Sequence, residues 1–393
     1  MTASKNYDAI ILGSGPAGLS TALGLARVHR TCAVISNSQY RNARSHAAHA
    51  ILTRDHTDPE EIRRIGREQI ERYGNTDFIE GKITKVKKEV GDNYEFVVEE
   101  DADKGGRRWK GRTLVFATGC RDIFPDLAGY VENWGENIYQ CLFCDGHERS
   151  HLPSGVLAYP ILDPMTIKLL TTAHFISLPP DRAHAMPPSG KGSETSPPKS
   201  KVTFFTNGPL SPSDESSHAG ALEICAAYGI TVDQRRVLKL VADDKEGVHI
   251  HLANDICAGK TPDSTSSIHL GWIAHKPPTE PSVPNLISQS GLEIPNSPFG
   301  SYLTATPPFN STSMPGVFAC GDTGVVMTHV TVAMSTGIAC AAGVLDWCNQ
   351  KDNQIALEIW RGRDKRNIVM KLREEEAGTA VDGTGCSVED GRT

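Results

Sequence analysis

Residues 7–35, YDAIILGSGPAGLSTALGLARVHRTCAVI, decide the fold. The run from Tyr7 to Leu12 is short, apolar and rich in strand-forming residues. Gly13-Ser14-Gly15-Pro16-Ala17-Gly18 interrupts it, and LSTALGLARV then spaces its apolar side chains at a helical period. TCAVI, residues 31–35, reads as the next strand. Strand, glycine turn, helix and strand in this order make a βαβ unit whose first turn carries the G-x-G-x-x-G pattern of a dinucleotide site. Gly13 serves the tight turn, and Gly15 lets the backbone approach a pyrophosphate. Gly18 lets helix and strand pack closely, and the helix N-terminus, with Pro16 and Ala17 in its first turn, faces the anion.

The rest of the chain bounds what surrounds this unit. Its 393 residues predict two to three domains at about 150 residues each. Apolar residues make up 39% and charged residues 22%, which permits a sizeable core and excludes a wholly disordered chain. The net charge of −7 argues against nucleic acid as a partner. No apolar run approaches the length of a membrane-spanning helix, so no membrane partner is expected. The strand beginning by Tyr7 leaves no room for a signal peptide, so a cytoplasmic protein is expected. Ten cysteines are too sparse for a disulfide scaffold; apart from Cys141 and Cys144 they read as small core or surface residues.

Residues 59–73 predict an amphipathic helix with Pro59 in its first turn, and 77–117 a β-meander. A second unit follows, with VLAYPIL, HFISL and KVTFFTNG as strands and a solvated, mobile insertion at 179–201. MPGVFACGD and the small-residue helix VTVAMSTGIACAAGVLDWC then return to the first unit, and 374–393 read as a disordered tail. The expected division is 1–149, 150–285, 286–350, and 351–393 for the C-terminal helix and tail.

Three further features carry chemistry. An acidic residue for ribose hydroxyls is missing after the second strand, where Ser36-Asn37-Ser38 stands; Ser36 or Asn37 would hydrogen-bond a ribose less strongly. Ala117-Thr118-Gly119 follows the strand TLVF, and Cys320-Gly321-Asp322 follows GVFA. Cys141-Leu142-Phe143-Cys144-Asp145-Gly146 places two cysteines three apart at an expected helix start. Such a pair can close a small disulfide, and a helix dipole would lower its thiolate pKa. Asp145 or His147 would shuttle the proton that exchange requires. A zinc half-site is the alternative, but no second cysteine or histidine pair stands at ligand spacing, so no metal is expected.

The order GSGPAG, ATG, CxxCDG and GD over residues 5–350 resembles the low-molecular-weight thioredoxin reductase family. Tyr40-Arg41-Asn42, the following HAAHAILTRDHTDPEEI, and CLFCDGHE resemble more closely the fungal and bacterial thioredoxin reductase-like dithiol oxidases. Those enzymes close the disulfide of epidithiodioxopiperazines such as gliotoxin and of holomycin-like metabolites. The resemblance implies an α/β fold: an FAD-binding Rossmann-like three-layer domain interrupted by a smaller, degenerate nucleotide-binding-like domain. It also implies a homodimer and a CxxC pair facing the flavin ring, with Cys141 exchanging and Cys144 against the flavin. Arg41 and Asn42 would lie beside the adenosine. Gly321 and Asp322 would hold the ribityl or pyrophosphate, and His329 and Val330 would stand near the ring. His46, His49, His56 and His329 read as single surface, hydrogen-bonded or flavin-neighbour histidines rather than catalytic bases.

One departure sets the expected direction of electrons. A reductase carries a second glycine-rich turn for NADPH, yet the corresponding stretch here is Ser154-Gly155-Val156-Leu157-Ala158-Tyr159-Pro160-Ile161-Leu162-Asp163-Pro164. The next strand ends in Asn207-Gly208-Pro209-Leu210, with no arginine for a 2′-phosphate. The expectation is therefore a small-molecule dithiol as donor, Cys141–Cys144 as relay, FAD as carrier and dioxygen as acceptor. An NADPH-dependent disulfide reductase and a non-catalytic flavin-binding descendant are the alternatives.

Overall fold

A strand buried on both faces has to be apolar nearly throughout, and β1 (Asn6–Leu12) is buried from Ala9 to Leu12. It sits mid-sheet in a computed structural model that describes residues 5–89, 93–101, 106–159, 162, 164–179, 199–210, 220–254, 265–297 and 300–379. After β1 come α1 (Pro16–Arg27), β2 (Cys32–Ser36), α2 (Pro59–Glu71), β3 (Thr76–Glu80), β4 (Ile83–Lys88), β5 (Phe96–Glu100) and β6 (Arg108–Phe116). These strands order as β3-β2-β1-β6-β5-β4. Ile11 pairs in parallel with Val34 on one side and Val115 on the other. The predicted meander is only partly met: β4, β5 and β6 are antiparallel neighbours, but β3 adds in parallel to β2.

β7 (Cys120–Asp122), α3 (Tyr130–Asn133) and β8 (Ile138–Tyr139) lead into the second domain. There β9 (Ser154–Leu157), α4 (Pro164–Ile176), β10 (Val202–Phe205), α5 (Ala221–Tyr228) and β11 (Thr231–Asp233) follow, then β12 (Val237–Ala242), β13 (Val248–Ala253), β14 (Thr265–Leu270) and β15 (Trp272–Ala274). A parallel sheet in the order β11-β10-β9-β15-β8 is backed by the antiparallel sheet β12-β13-β14. β16 (Thr279–Pro281) pairs with β7, and α6 (Pro284–Gln289), β17 (Asn296–Ser297), β18 (Gly300–Ser301), β19 (Val317–Ala319) and α7 (Val330–Thr379) complete the chain. The chain thus crosses between domains at the paired strands β7 and β16. The sequence reading set the crossings at 149 and 285; β8 already belongs to the second sheet, and Leu286 and Ile287 to the first domain's core.

The first domain has three layers. α1 and α7 cover one face, where Leu25 and Ala26 share a core with Cys340, Ala341 and Val344. Leu286, Ile287 and Leu303 cover the other face against Ile10, Leu12 and Leu114. Small residues set the helix spacing: a Cβ at Gly337 would stand 2.3 Å from the Ala17 carbonyl oxygen. Close-packed cores leave no slack for such an atom.

Three sequence expectations are corrected. HFISL is the last turn of α4 and its exit, not a strand; Leu170, Ala173, His174 and Ser177 bury one face at helical spacing. Residues 374–379, read as tail, extend α7, while 380–393 and most of the 179–201 insertion lie outside the described residues. Within Val330–Asn367 an apolar window reaches mean hydropathy 1.4, so a helix long and apolar enough to cross a membrane is present by composition. Its Ala333, Cys340, Ala341, Val344 and Cys348 are buried in the core beside α1.

Candidate active site

The glycine turn forms one wall of a cavity of about 430 Å³. Gly13 takes φ 107, and a Cβ there would stand 2.3 Å from the Ala117 carbonyl oxygen. Gly18 packs equally tightly, its absent Cβ 2.0 Å from the Gly13 carbonyl oxygen. Gly15 is different: it lines the cavity, and a Cβ there would meet nothing within 4 Å. Gly15 also precedes α1 with no capping side chain and no acidic residue in the first turn. The first amides of the helix are therefore left for an anion. A pyrophosphate fits these residues. Ser14, Pro16, Ala17, Ser36 and Asn37 line the same cavity.

The other motifs lock onto this turn. The Thr323 hydroxyl accepts the Gly119 amide at 2.8 Å, and the Ala117 amide donates to the Leu12 carbonyl at 2.9 Å. Gly321 donates its amide to the Thr336 hydroxyl at 2.9 Å, tying the GD turn to α7. Ala117, Thr118, Gly119, Gly321, Asp322, His329 and Val330 all reach the cavity. His329 caps α7, its Nδ1 accepting the Thr331 amide at 3.3 Å. Burial raises the Asp322 carboxyl above the ordinary carboxylate range, against the pull of Arg41.

Arg41 also lines the cavity, but its guanidinium serves the wall. It donates to Asp122 at 2.9 Å, Asp322 at 3.2 Å and Gln140 at 2.8 Å. This fork joins the GD turn, the inter-domain strand β7 and the residue before Cys141. Two carboxylates and an amide thus take up the Arg41 guanidinium at the cavity wall. Asn42 accepts from Arg63 at 3.3 Å, and Arg63 stacks on Tyr40 at 3.9 Å.

Cys141 and Cys144 are joined as a disulfide, and both sulfur-bearing residues line the far end of the cavity. The expected helix at Cys141 does not form. Residues 141–151 make successive turns and bends, with Gly146 at φ 108. A helix dipole therefore does not act on these thiols. Asp145 lies beside them in the cavity lining, and burial first, then Glu148, raises its carboxyl to about 6 against the opposing pull of His49. His147 is exposed and is not among the lining residues, so of the two expected proton carriers only Asp145 lines the cavity with the disulfide.

Sequence reading names His49 as a single surface, hydrogen-bonded or flavin-neighbour histidine but does not link it to the cysteine pair. Its ring lines the cavity and its Nδ1–H donates to the Cys144 carbonyl. The loop carrying it is closed by the Ala48–Thr57 bridge and by Asp55, which accepts the Ala50 amide at 2.8 Å. No spacing rule links position 49 to position 144; folding alone brings them together. Asp122 and Gln140 were missed for the same reason.

Among the described residues, the second domain offers no equivalent glycine cradle. Gly155 lies inside β9, paired with Thr203 and Ile273, and a Cβ there would stand 2.9 Å from Leu270 and 3.0 Å from Phe205. Where β9 ends, the Tyr159 carbonyl accepts from the buried His275 at 2.8 Å. Asn207, after β10, accepts the Val237 amide at 2.9 Å.

Residues 7–157 match the family described as pyridine nucleotide-disulphide oxidoreductase. The chain is 32% identical to thioredoxin reductase aclD of Aspergillus oryzae, over 87% of this chain and 96% of the relative. It is 31% identical to thioredoxin reductase sirT of Leptosphaeria maculans, over 88% and 96%. Among solved structures, an oxidoreductase from Agrobacterium tumefaciens superposes with TM-score 0.69 at 29% identity, covering 87% of this chain and 98% of that one. The crystal structure of HlmI gives 0.70 at 26%, covering 90% and 96%. With its dinucleotide turn, its GD turn and its cavity-facing disulfide, the chain belongs to the pyridine nucleotide-disulphide oxidoreductase family, as a thioredoxin reductase-like oxidoreductase of a flavoprotein lineage.

Proposed function

We propose that this protein is an FAD-dependent oxidase that converts a small-molecule dithiol into a disulfide, with dioxygen as the terminal acceptor. The observation that carries this reading is the pairing of one open glycine cradle at Gly15 with one filled position at Gly155. A pyrophosphate can be seated in the first domain. The corresponding turn of the second domain, from Ala158 on, carries no glycine, and Gly155 lies packed inside β9, which supports the loss of the usual port for a nicotinamide donor.

Gly13–Gly18 would hold the pyrophosphate of FAD, Ser36 and Asn37 the adenosine end, and Thr118, Gly119 and Asp322 the flavin side. A bound flavin would supply the two-electron acceptor that reoxidises the Cys141/Cys144 dithiol and the route by which those electrons reach dioxygen. The protein's own part is exchange. A substrate thiolate attacks the Cys141–Cys144 bond and forms a mixed disulfide, and the second substrate thiol displaces it, leaving two enzyme thiols. Asp145, ionised above about pH 6, takes the thiol proton and returns it to the leaving sulfur. The balance is R(SH)₂ + O₂ → RS₂ + H₂O₂. The resemblance of residues 40–62 and 141–148 to the dithiol oxidases supports an epidithiodioxopiperazine-type dithiol of secondary metabolism as substrate. A cytoplasmic homodimer belongs to the same reading; exposed Ile355, Ile359 and Trp360 on α7 are its candidate contacts.

The names of the relatives favour a second reading, an NADPH-dependent thioredoxin-type reductase. Anaerobic titration separates the two. A dithiol bleaches the flavin of an oxidase, air restores the colour, and oxygen is consumed without NADPH. Fast bleaching by NADPH with no oxygen uptake from dithiols overturns the oxidase.

A further inference from the structure

Beside the disulfide, three side chains converge that exchange chemistry does not need. His49 Nε2 stands 3.1 Å from His56 Nδ1 and 3.5 Å from Glu148 Oε1. The ligand atoms of all three residues lie within 4.8 Å of one another. Zinc bonds of about 2.0–2.2 Å in a tetrahedral shell set ligand atoms about 3.3–3.6 Å apart, so the two separations from His49 Nε2 lie close to those of a two-histidine, one-carboxylate set. The outer partners match too. His49 gives its Nδ1–H to the Cys144 carbonyl, which leaves the Nε2 lone pair to face His56 Nδ1 and Glu148, where a cation would replace the hydrogen bond to His56. His56 Nε2 faces the Asp55 carboxylate at 3.4 Å. A ligating imidazole characteristically hands its other nitrogen to a carbonyl or carboxylate in this way. The two rings meet edge to face, 79° apart, and His56 is held at φ 58 within its closed loop.

We propose that His49, His56 and Glu148 form a binding site for a divalent transition cation of zinc type, with the fourth position open to water or a thiolate sulfur. The charge around it is favourable. Asp55 and Asp145 face the two histidines, Glu148 supplies the anionic ligand, and the nearby His46 is occupied by Glu136 at 3.0 Å. A second cluster, Asp243, His249 and His269, is less suited. Its Asp243 carboxylate also accepts the Lys245 amide at 2.9 Å, and His269 Nε2 is bonded to the Glu246 carbonyl at 2.8 Å.

The proposal does not depend on the direction of electron flow. It is tested on the full-length protein with its disulfide intact, because free thiolates would bind zinc themselves. Zn²⁺ is titrated in competition with a chromophoric chelator. One equivalent is expected at micromolar affinity or tighter. His56→Ala and Glu148→Gln, both at exposed positions, should each weaken it at least tenfold, and His49→Ala should abolish it. His249→Ala should leave it unchanged. Circular dichroism checks that each variant folds. Absence of zinc binding, equal binding in the His56 and Glu148 variants, or loss on His249→Ala overturns the site.

Discussion

At Leu12 the chain leaves β1 through Gly13 and Gly15 and enters α1 at Pro16. At Leu157 it leaves β9 through Ala158 and Tyr159 and enters α4 at Pro164. Both junctions join a central parallel strand to a helix, and both domains stack the following strand alongside. In the first, Gly15 stands past the strand end and faces empty space. In the second, Gly155 is inside the strand, against Leu270 and Phe205. The comparison teaches that a glycine's place relative to the strand end decides its use. Beyond the strand it opens the backbone to an anion; within the strand it only makes room for neighbouring side chains.

The sharpest break of this comparison lies in the disulfide that both domains enclose. Cys144→Ser should lower dithiol turnover by on the order of 10³-fold or more while leaving the fold intact, since exchange needs both sulfurs. Oxygen uptake and circular dichroism together measure it; an active variant would detach the cavity from the chemistry. Next in size is the choice of donor. Stopped-flow bleaching by dithiothreitol should exceed that by NADPH by on the order of 10²-fold if the second junction holds no nucleotide.

The two glycines sharpen the contrast directly. Gly15→Ala should leave thermal stability alone, because its Cβ meets no atom, and weaken flavin retention about tenfold, or about 1.4 kcal/mol. Gly155→Ala should do the reverse, costing about 1–3 kcal/mol by overpacking with flavin affinity unchanged. Thermal melts and flavin-release titrations of the pair provide the check; matching behaviour of the two variants would erase the distinction.

The smallest effect is the pH dependence of Asp145. Its carboxyl lies at about 6 in the folded protein against an ordinary 3.8. Between these values the folded state holds more protons than the unfolded state, so stability falls as pH rises through that window and levels off above it. Exchange with dithiol should rise over the same limb as the carboxylate forms. Asp145→Asn should flatten both profiles, as chemical denaturation and quenched alkylation across the window would reveal.

Much of this was legible in the residues. The βαβ unit at 6–36, the cysteine pair and the GD turn each depend on neighbours within a few positions. Gly18, in particular, is required by the nearby Gly13 carbonyl, whereas the crowding at Gly13 comes from Ala117 at the end of β6. Reading HFISL as strand failed because a short apolar run does not distinguish strand from buried helix. The expected helix at Cys141 failed because Gly146 turns the chain away before a helix can propagate. The link from His49 to Cys144 was not legible because the two lie 95 residues apart.

The sequence by itself determined the glycine turn, the cysteine pair and the absence of a second glycine triad, since each is written in consecutive residues. Only the tertiary structure decided that Arg41 clamps Asp122 and Asp322, that Asp145 and not His147 lines the cavity with the disulfide, and that two histidines and a glutamate gather beside Cys144. Those arrangements depend on distances between segments remote in the chain, which packing of the two domains fixes and local propensity does not encode.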